Sequence, residues 1–304
     1  MTDDTVARAV AILRRGGVVA IPTETVYGLA ADLANPEAIA RVYAIKGRPA
    51  EHPLIVHAHD LAALTGYVAA IPPALAALAR RFWPGPLTAI VARGDRTPRT
   101  VTGGQDTVAV RVPDHPLALA ILAHFGGALA APSANRFGRV SPTTAQHVRD
   151  DLGDAVELIV DGGPARIGVE STIVDLTSAV PAVLRAGAIT PSQLSATLDR
   201  AVVERTGGPV RVPGTLAAHY APRARVVLVD GTDRESETQR RAQRGERVGL
   251  LVLPSDSATA ARTLYATLRG LDADGYDTIL ATLPPPGEAS AAVRDRLTRA
   301  AVGS

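Results

Sequence analysis

The sequence predicts a two-domain α/β protein, and three observations support that class. Over the first two thirds, short β-branched runs alternate with Ala/Leu-rich helical stretches, the pattern of a mixed α/β domain. A stretch punctuated by glycine and proline follows, and then a second, cleaner alternation. At 304 residues the chain is also long for a single core. We therefore place a first domain at 1–205, a linker at 206–222 and a small domain at 223–304.

The elements of the first domain follow from periodicity and from the positions of proline. Strands are predicted where short apolar runs are bounded by turn residues, at 18–21, 54–57, 87–91, 108–112, 129–131, 158–160 and 172–176. Helices are predicted at 3–13, 36–45, 73–82, 116–124, 143–150 and 191–198. Several of these helices begin at or beside a proline, where the missing N–H costs nothing.

The small domain shows strands separated by whole helices. Its predicted strands are 226–229, 248–253 and 278–281, and its predicted helices are 234–244, 258–268 and 288–300. This order predicts a parallel, Rossmann-like sheet with right-handed crossovers. No Gly-x-Gly-x-x-Gly turn follows the first strand, so we assign no dinucleotide to this domain.

Composition narrows the classes of function. The net charge of +2 predicts no general polyanion-binding surface, and aromatic residues at 3% argue against a groove that stacks bases. The absence of cysteine excludes disulfides, thiol catalysis and cysteine-ligated metal sites. The sequence has no signal-peptide layout and no apolar run near the roughly 20 residues that span a bilayer. We expect a cytoplasmic protein with no membrane partner.

Lys46 is the only lysine in the chain, and it lies next to Gly47 and Arg48 at the end of a predicted helix. Ammonium is a compact point charge and guanidinium a planar fork, so the two together suit a polyphosphate. The alternative is a surface lysine that survived a strong bias towards arginine. The polar segment 23–27 follows a predicted strand, where α/β sheets place ligands; the alternative is a loop that caps the next segment.

Three further side chains have a functional and a structural interpretation. Arg111 lies within an apolar strand and predicts either a bidentate grip on a ligand carboxylate or a salt bridge to an internal acid. His57 closes a strand, and Ser141 lies near a helix N-cap, where it binds phosphate or simply caps the helix. The sequence shows neither a catalytic triad nor a Walker A loop. Residue chemistry alone predicts a site for a small anionic, phosphate-bearing molecule.

A set of short strings makes the interpretation more specific. PTETVYGL, KGRP followed by PLIVH, VRVP, APSAN, SPT, GVEST and LR-x-G occur in this order between Gly17 and Gly187, and HYAP follows at 219–222. In this the chain resembles the threonylcarbamoyl-AMP synthase family of YrdC-like proteins, in its longer two-domain form. The resemblance implies a YrdC-like mixed twisted sheet with a concave ligand cavity, followed by the small parallel domain.

The resemblance also implies an activity, that of an L-threonylcarbamoyladenylate synthase, which is a nucleotidyltransferase. Its substrates would be L-threonine, bicarbonate or CO2, and ATP with Mg²⁺, and its products threonylcarbamoyl-AMP and pyrophosphate. A separate machinery would then transfer the threonylcarbamoyl group to the adenosine next to the tRNA anticodon. That machinery is the partner we expect, beside the small-molecule substrates.

Carried over position by position, the resemblance predicts two sets of site residues and no metal ligand from the protein. The threonine site would comprise Thr25, His57, Arg111, Ala131 and Ser171. The ATP site would comprise Lys46, Arg48, His52, Thr107, Ser133, Asn135, Ser141, Arg185 and Tyr220, with Lys46 and Arg48 as the catalytic cations. His52 stands where the family usually has asparagine.

An alternative function is a non-enzymatic module that holds structured RNA by phosphate contacts on a concave basic surface. The near-neutral charge and the scarcity of aromatic residues argue against it as the main role. Weak RNA binding remains an expectation to be tested.

Overall fold

The computed structural model describes residues 2–205, 207, 210–214 and 219–303. Within these residues the α-helices are Thr2–Arg14 (α1), Pro36–Lys46 (α2), Pro73–Phe82 (α3), Pro116–Phe125 (α4), Ala145–Leu152 (α5), Pro191–Leu198 (α6), Arg234–Ala242 (α7), Ser257–Ala273 (α8) and Ala291–Val302 (α9). Every helix predicted from the sequence is present, and proline begins four of them.

The strands form one large and one small sheet. They are Val19–Ile21 (β1), Gly28–Asp32 (β2), Ile55–His57 (β3), Leu87–Ala92 (β4), Thr107–Arg111 (β5), Leu129–Ala130 (β6), Leu158–Ile159 (β7), Thr172–Asp175 (β8), Ala182–Arg185 (β9), Val203–Glu204 (β10), Arg225–Leu228 (β11), Val248–Leu251 (β12) and Thr278–Ala281 (β13). The large sheet has the order β10-β9-β8-β4-β5-β3-β6-β2-β1-β7. Because β4 pairs antiparallel with β5 and parallel with β8, the sheet is mixed, as predicted.

Three strands of this sheet were not predicted. Gly28–Asp32 lies in and after a string that we interpreted as a loop, but it pairs antiparallel with both β1 and β6. Glycine, alanine and aspartate have low strand propensity, so pairing on both sides, rather than local preference, makes β2 a strand. The short β9 and β10 extend the sheet on the far side, where β9 pairs with β8 and β10 with β9.

Local signals explain where α2 begins and where it ends. The Asn35 side chain accepts hydrogen bonds from the backbone N–H groups of Glu37 and Ala38 and so caps the first turn. Gly47 ends the helix in the left-handed conformation, with φ of 62°. The last helical residue is therefore Lys46, which points its long side chain away from the helix end and into the domain, where it is 2% exposed.

The start of α5 corrects one detail of the sequence analysis. We placed Ser141 near the N-cap, but the N-cap is Thr144, whose side chain accepts from the backbone N–H of His147 at 3.2 Å. The Ser141 hydroxyl is instead fully buried and turned towards Glu170. Capping is thus excluded as the reason for a serine at this position.

The small domain has the predicted parallel sheet. Strands β11 and β12 both pair parallel with the central strand β13. Its apolar core extends into the first domain, because Leu264 and Leu297 belong to the same buried cluster as Val140 and Val169. The two domains are therefore packed through an apolar interface. None of the helices in the part of the chain described here is long and apolar enough to cross a membrane.

The described part of the linker packs on the large sheet. Val212 is 5% exposed and contacts a cluster that includes Ile55, Ile90 and Ile173. The backbone N–H of Arg211 donates to the Gln105 side chain at 2.7 Å. These contacts anchor residues 210–214 on the first domain.

Candidate active site

A cavity lies where the turn between β1 and β2, the ends of β3 and β5, the loop after β6 and the linker meet. Its wall is formed by Thr23, Thr25, Val26, Tyr27, Gly28, Arg48, Ile55, His57, Arg111, Ala131, Pro132, Ser133, Glu170, Arg185, Pro213, Gly214, His219 and Tyr220. Eight of the predicted site residues are in this wall, drawn from segments far apart in sequence. The structure therefore brings four of the five predicted threonine residues and four of the nine predicted ATP residues to one place.

Of the two interpretations that the sequence left open for Arg111, the structure shows the salt bridge, and the contact with a ligand carboxylate stays a prediction. Its Nη2 donates to Oε1 of the buried Glu24 at 2.7 Å and to the Thr25 hydroxyl at 2.8 Å, while its Nε donates to the Gly85 carbonyl at 3.3 Å. The structural salt bridge is thus present. Among the described residues nothing hydrogen-bonds its Nη1, and Arg111 also lines the cavity. The ion pair fixes the guanidinium in position and leaves one donor nitrogen for a ligand.

His57 lies beside Arg111, because the two residues are register partners on β3 and β5. Its Nδ1 is 3.1 Å from the Ile55 carbonyl oxygen, which only accepts, so Nδ1 carries the proton and Nε2 is an acceptor. Burial first, and the charge of Arg111 second, lower the pKa of His57 to about 3. His57 is consequently neutral at pH 7 and offers the cavity an acceptor next to a guanidinium.

Ser171 and Arg185 form a second fixed pair. Arg185 donates from Nε to the Ser171 carbonyl and from Nη2 to the Ser171 hydroxyl, both at 3.0 Å. The same hydroxyl is 2.7 Å from that of Thr88. The third nitrogen, Nη1, donates to the carbonyl of Pro213 at 3.1 Å and so ties the linker to the cavity wall.

Lys46 lies directly behind the loop after β6. Its Nζ donates to the backbone carbonyls of Ser133 at 2.5 Å and Asn135 at 2.6 Å. Burial, and then the charge of Arg48, lower the pKa of Lys46 well below its ordinary value. A direct contact with phosphate stays a prediction. What the structure adds is that the ammonium holds the loop that supplies Ser133 to the cavity.

Three buried cations near the cavity have no carboxylate partner among the described residues. Lys46, Arg48 and Arg185 are 2%, 8% and 6% exposed and donate only to carbonyl oxygens and one hydroxyl. By contrast, the buried Arg111 and Arg296 each form an ion pair with a glutamate. Buried charges without a counter-charge are costly to a folded protein. Their grouping therefore indicates an anionic ligand.

Three further predicted ATP residues, His52, Thr107 and Asn135, are not part of the cavity wall. The Asn135 Nδ2 donates to the carbonyls of Arg136 and Arg139, both at 2.8 Å, which closes the loop on itself. His52 packs its ring 5.3 Å from that of Phe137. Thr107, at the start of β5, lines a separate small pocket instead. No observation yet assigns these three a ligand contact.

Tyr220 adopts a backbone conformation that tyrosine rarely takes, with φ of 62°. Its hydroxyl donates to the Gly214 carbonyl at 3.3 Å, and a Cβ on Gly214 would lie 2.1 Å from that hydroxyl. Glycine is therefore required at 214 for the tyrosine to close over it. The arrangement places Pro213, Gly214, His219 and Tyr220 in the cavity wall, so both described flanks of the linker border the site.

Glu170 is the residue that sequence reasoning missed. It lines the cavity at 6% exposure, and its Oε1 accepts from the Ser141 hydroxyl at 2.5 Å. Burial raises its pKa, but the charges of Arg296 and then Arg185 outweigh that effect and lower the pKa to about 2. The sequence signal that could have identified Glu170 as a site residue was its place in GVEST, next to Ser171. Its partner Arg296 lies 126 positions away, which no local pattern reveals.

The described residues include no group of three or more histidine, cysteine or acidic side chains that would hold a metal ion. The two carboxylates at the cavity are already engaged, Glu24 by Arg111 and the Asp114 N–H, and Glu170 by Arg296. Mg²⁺ prefers carboxylate and phosphate oxygens. In this arrangement both carboxylates are held by arginines.

The fold and the cavity define a YrdC-type α/β protein with a buried site for a small anionic ligand. Comparison with known families agrees. The model for the Sua5/YciO/YrdC family, described as "Telomere recombination", matches residues 11–187, and the model "Threonylcarbamoyl-AMP synthase, C-terminal domain" matches residues 189–302. The chain belongs to the Sua5/YciO/YrdC family, in the form that carries the second domain.

Individual relatives match along the whole length. The threonylcarbamoyl-AMP synthase of Bacillus subtilis (strain 168) is 39% identical over 99% of this chain and 94% of its own. The enzyme of the same name from Pyrococcus abyssi is 38% identical over 96% of this chain and 92% of its own. A crystal structure of P. abyssi Sua5 complexed with L-threonine matches with a TM-score of 0.94, at 36% identity, covering 98% of this chain and 94% of that one.

Proposed function

We propose that this protein is an L-threonylcarbamoyladenylate synthase, which joins L-threonine, bicarbonate or CO2, and ATP to give threonylcarbamoyl-AMP and pyrophosphate. The observation that carries the proposal is the group of buried cations without carboxylate partners, Lys46, Arg48 and Arg185. A triphosphate supplies the missing negative charge. Relatives that are named for this activity and match along the whole chain support the same function.

The threonine half of the site would lie around Arg111 and His57. The free Nη1 of Arg111 would take the substrate carboxylate, while Thr25 and Ser171 supply hydroxyl groups nearby. The neutral His57 would accept a hydrogen bond from the amine or hydroxyl of threonine through Nε2. A relative crystallised with L-threonine supports an amino-acid site in this fold.

The nucleotide half would extend from Ser133 towards Arg48, Arg185 and Tyr220. The amine of threonine, as the free base, takes up CO2 to give a carbamate and releases a proton to solvent, and a carbamate oxygen then attacks the α-phosphorus. The bond to the β-phosphate oxygen breaks and pyrophosphate leaves. The protein holds the two substrates together and stabilises the charge on the phosphates, with no covalent enzyme intermediate. Mg²⁺ would arrive on the phosphates and neutralise part of their charge.

We further propose that 1–205 is the catalytic domain and that the described flanks of the linker, 210–214 and 219–222, help to close the cavity; linker residues 206, 208–209 and 215–218 lie outside the described residues. Exclusion of water is physically required, because a mixed anhydride with AMP hydrolyses readily. The product would pass to a tRNA-modifying transfer machinery in the cytoplasm.

The test is pyrophosphate release with each reactant omitted in turn. Release should require ATP, Mg²⁺, L-threonine and bicarbonate together, because the carbamate must form before it attacks. Pyrophosphate in the absence of threonine or of bicarbonate would overturn the mechanism. RNA binding that disappears with modest salt, without any threonine-dependent release, would favour the RNA-binding alternative instead.

A further inference from the structure

The carboxylate of Glu170 joins the cavity to the small domain. Besides the Ser141 hydroxyl, it accepts hydrogen bonds from the Tyr265 hydroxyl, at 2.9 Å to Oε2 and 3.1 Å to Oε1. Its Oε2 also accepts from Nε of Arg296 at 2.9 Å. Tyr265 and Arg296 lie on α8 and α9, and neither is exposed to solvent. A cavity-lining charge of the first domain is thus neutralised by the second.

The same two residues also contact Tyr220. The ring of Tyr265 stacks on that of Tyr220, with centroids 5.9 Å apart and an interplanar angle of 28°. The guanidinium carbon of Arg296 lies 5.1 Å from the centroid of the Tyr220 ring, within the range of a cation–π contact. The small domain therefore contacts the cavity wall at two points, the Glu170 carboxylate and the Tyr220 ring.

We propose that Arg296 and Tyr265 are positioning residues for the nucleotide half of the site, acting through Glu170 on Ser141 and through ring contacts on Tyr220. This rests on the proposed function, since it assumes that the cavity holds ATP. Arg296 also keeps the Glu170 charge from opposing the phosphates, and keeps Glu170 from drawing Arg185 away from its place at the wall. The small domain on this view completes the ATP site rather than merely following it.

A second contact between the two domains provides a control for the proposed role of Arg296 and Tyr265. Ser192 on α6 and Glu288 of the small domain also join the two domains, with the Ser192 hydroxyl donating to Oε1 at 2.8 Å. This contact is exposed and neither residue lines the cavity. Glu288→Gln is therefore the control for an interdomain contact that does not reach the site. Arg269 is unsuitable as a control position, because it donates to the backbone carbonyl of Val140, next to Ser141.

The experiment measures equilibrium binding of ATP and of L-threonine, with the thermal midpoint, on the full chain. Tyr265→Phe removes the hydroxyl and keeps the stacked ring, so it should fold and raise the Kd for ATP about fivefold, with threonine affinity unchanged. Arg296→Met removes both contacts and should raise the Kd for ATP about tenfold or more, with Arg296→Lys in between. Glu288→Gln should match wild type for both ligands.

A double variant, Glu170→Gln with Arg296→Met, guards against misfolding. It removes both members of the Glu170–Arg296 ion pair and so does not leave Glu170 buried without that partner; its thermal midpoint should exceed that of Arg296→Met alone. Its ATP affinity should stay below wild type, because the contact with Tyr220 is still missing. Wild-type ATP affinity in the double variant would overturn the proposal, as would variants that lose thermal stability but bind ATP like wild type.

The two proposals fail in different ways. A wild-type chain that binds ATP but releases no threonine-dependent pyrophosphate overturns the proposed function, while the effect of the variants on ATP affinity still decides the positioning role. A wild-type chain that binds no ATP overturns both.

Discussion

Replacing the only lysine by arginine should disable the enzyme, although it conserves the charge. The Lys46 ammonium reaches two carbonyl oxygens, of Ser133 and Asn135, at 2.5 and 2.6 Å from a single nitrogen. A planar guanidinium is larger and spreads its donors over three nitrogens, so it cannot satisfy both carbonyls from a site that is 2% exposed. The loop that carries Ser133 should shift, and one charge-stabilising contact should be lost.

The size of the expected loss of activity follows from the number of contacts that Lys46 makes. Losing one preorganised charge-stabilising donor typically costs 10²- to 10³-fold in rate, or about 2.7–4 kcal/mol, so we expect kcat/KM for ATP to fall by at least 10²-fold in Lys46→Arg. Lys46→Ala should be at least as severe, because two buried carbonyls then lose their partner, at about 1–3 kcal/mol each.

Pyrophosphate release and direct ATP binding measure this effect. Arg41→Lys is the matched control, because Arg41 is an exposed cation of the same helix, paired with Glu157, and the swap again exchanges the two cation types. It should stay within about threefold of wild type, as expected for an exposed ion pair. If Lys46→Arg keeps the wild-type rate and ATP affinity, the argument from ammonium geometry is wrong.

Further outcomes follow from the same contacts. Arg111→Lys should weaken L-threonine more than ATP in binding assays, because a single ammonium cannot hold Glu24 and Thr25 and also present a second donor nitrogen to the carboxylate, while the phosphates keep their cations; serine in place of threonine should cost only about 1–3 kcal/mol in kcat/KM. Equal effects on both ligands would make Arg111 purely structural. Urea unfolding should show stability falling as the pH drops from about 6.5, since His57, with a folded pKa of about 3, binds a proton first in the unfolded chain. Glu170, whose folded pKa of about 2 lies below its ordinary 4.5, contributes stability that is present above pH 4.5 and lost towards pH 2, so Glu170→Gln should flatten that lower part of the curve. A chain ending at residue 205 should fold but lose most pyrophosphate release, and Tyr220→Ala should weaken ATP binding; wild-type values for both would make the linker a passive tether.

The sequence predicted the helices well because their ends carry local signals. Proline at the first position of α2, α3, α4 and α6 and the left-handed glycine at 47 mark boundaries without help from tertiary structure. Strand β2 was missed because its residues have no strand preference of their own, and only β1 and β6 on either side make them extended. Ser141 was placed wrongly for a similar reason: its neighbours suggest a helix cap, but its hydroxyl donates a hydrogen bond to a carboxylate 29 residues away.

Site residues were predictable as members of short strings, but their relationships were not. Nothing local in PTETVYGL indicates that Glu24 holds Arg111 across 87 positions. Likewise the pairing of Glu170 with Arg296 crosses a domain boundary. Both glutamates were visible in the strings, yet a buried carboxylate acquires a role only when its counter-charge is known, and that requires the fold.

The distribution of counter-charges explains why one cavity would take two different anions. Arg111 is paired with Glu24, so its side of the cavity carries less net positive charge and suits an amino-acid carboxylate better than a more highly charged group. Lys46, Arg48 and Arg185 have no such partner, and Arg296 neutralises the one carboxylate, Glu170, that would otherwise compensate them. Since the field of unpaired cations in a buried site is weakly screened, a triphosphate is drawn to that side. On the proposed function, the orientation of the two substrates would follow from which cations the protein pairs and which it leaves unpaired.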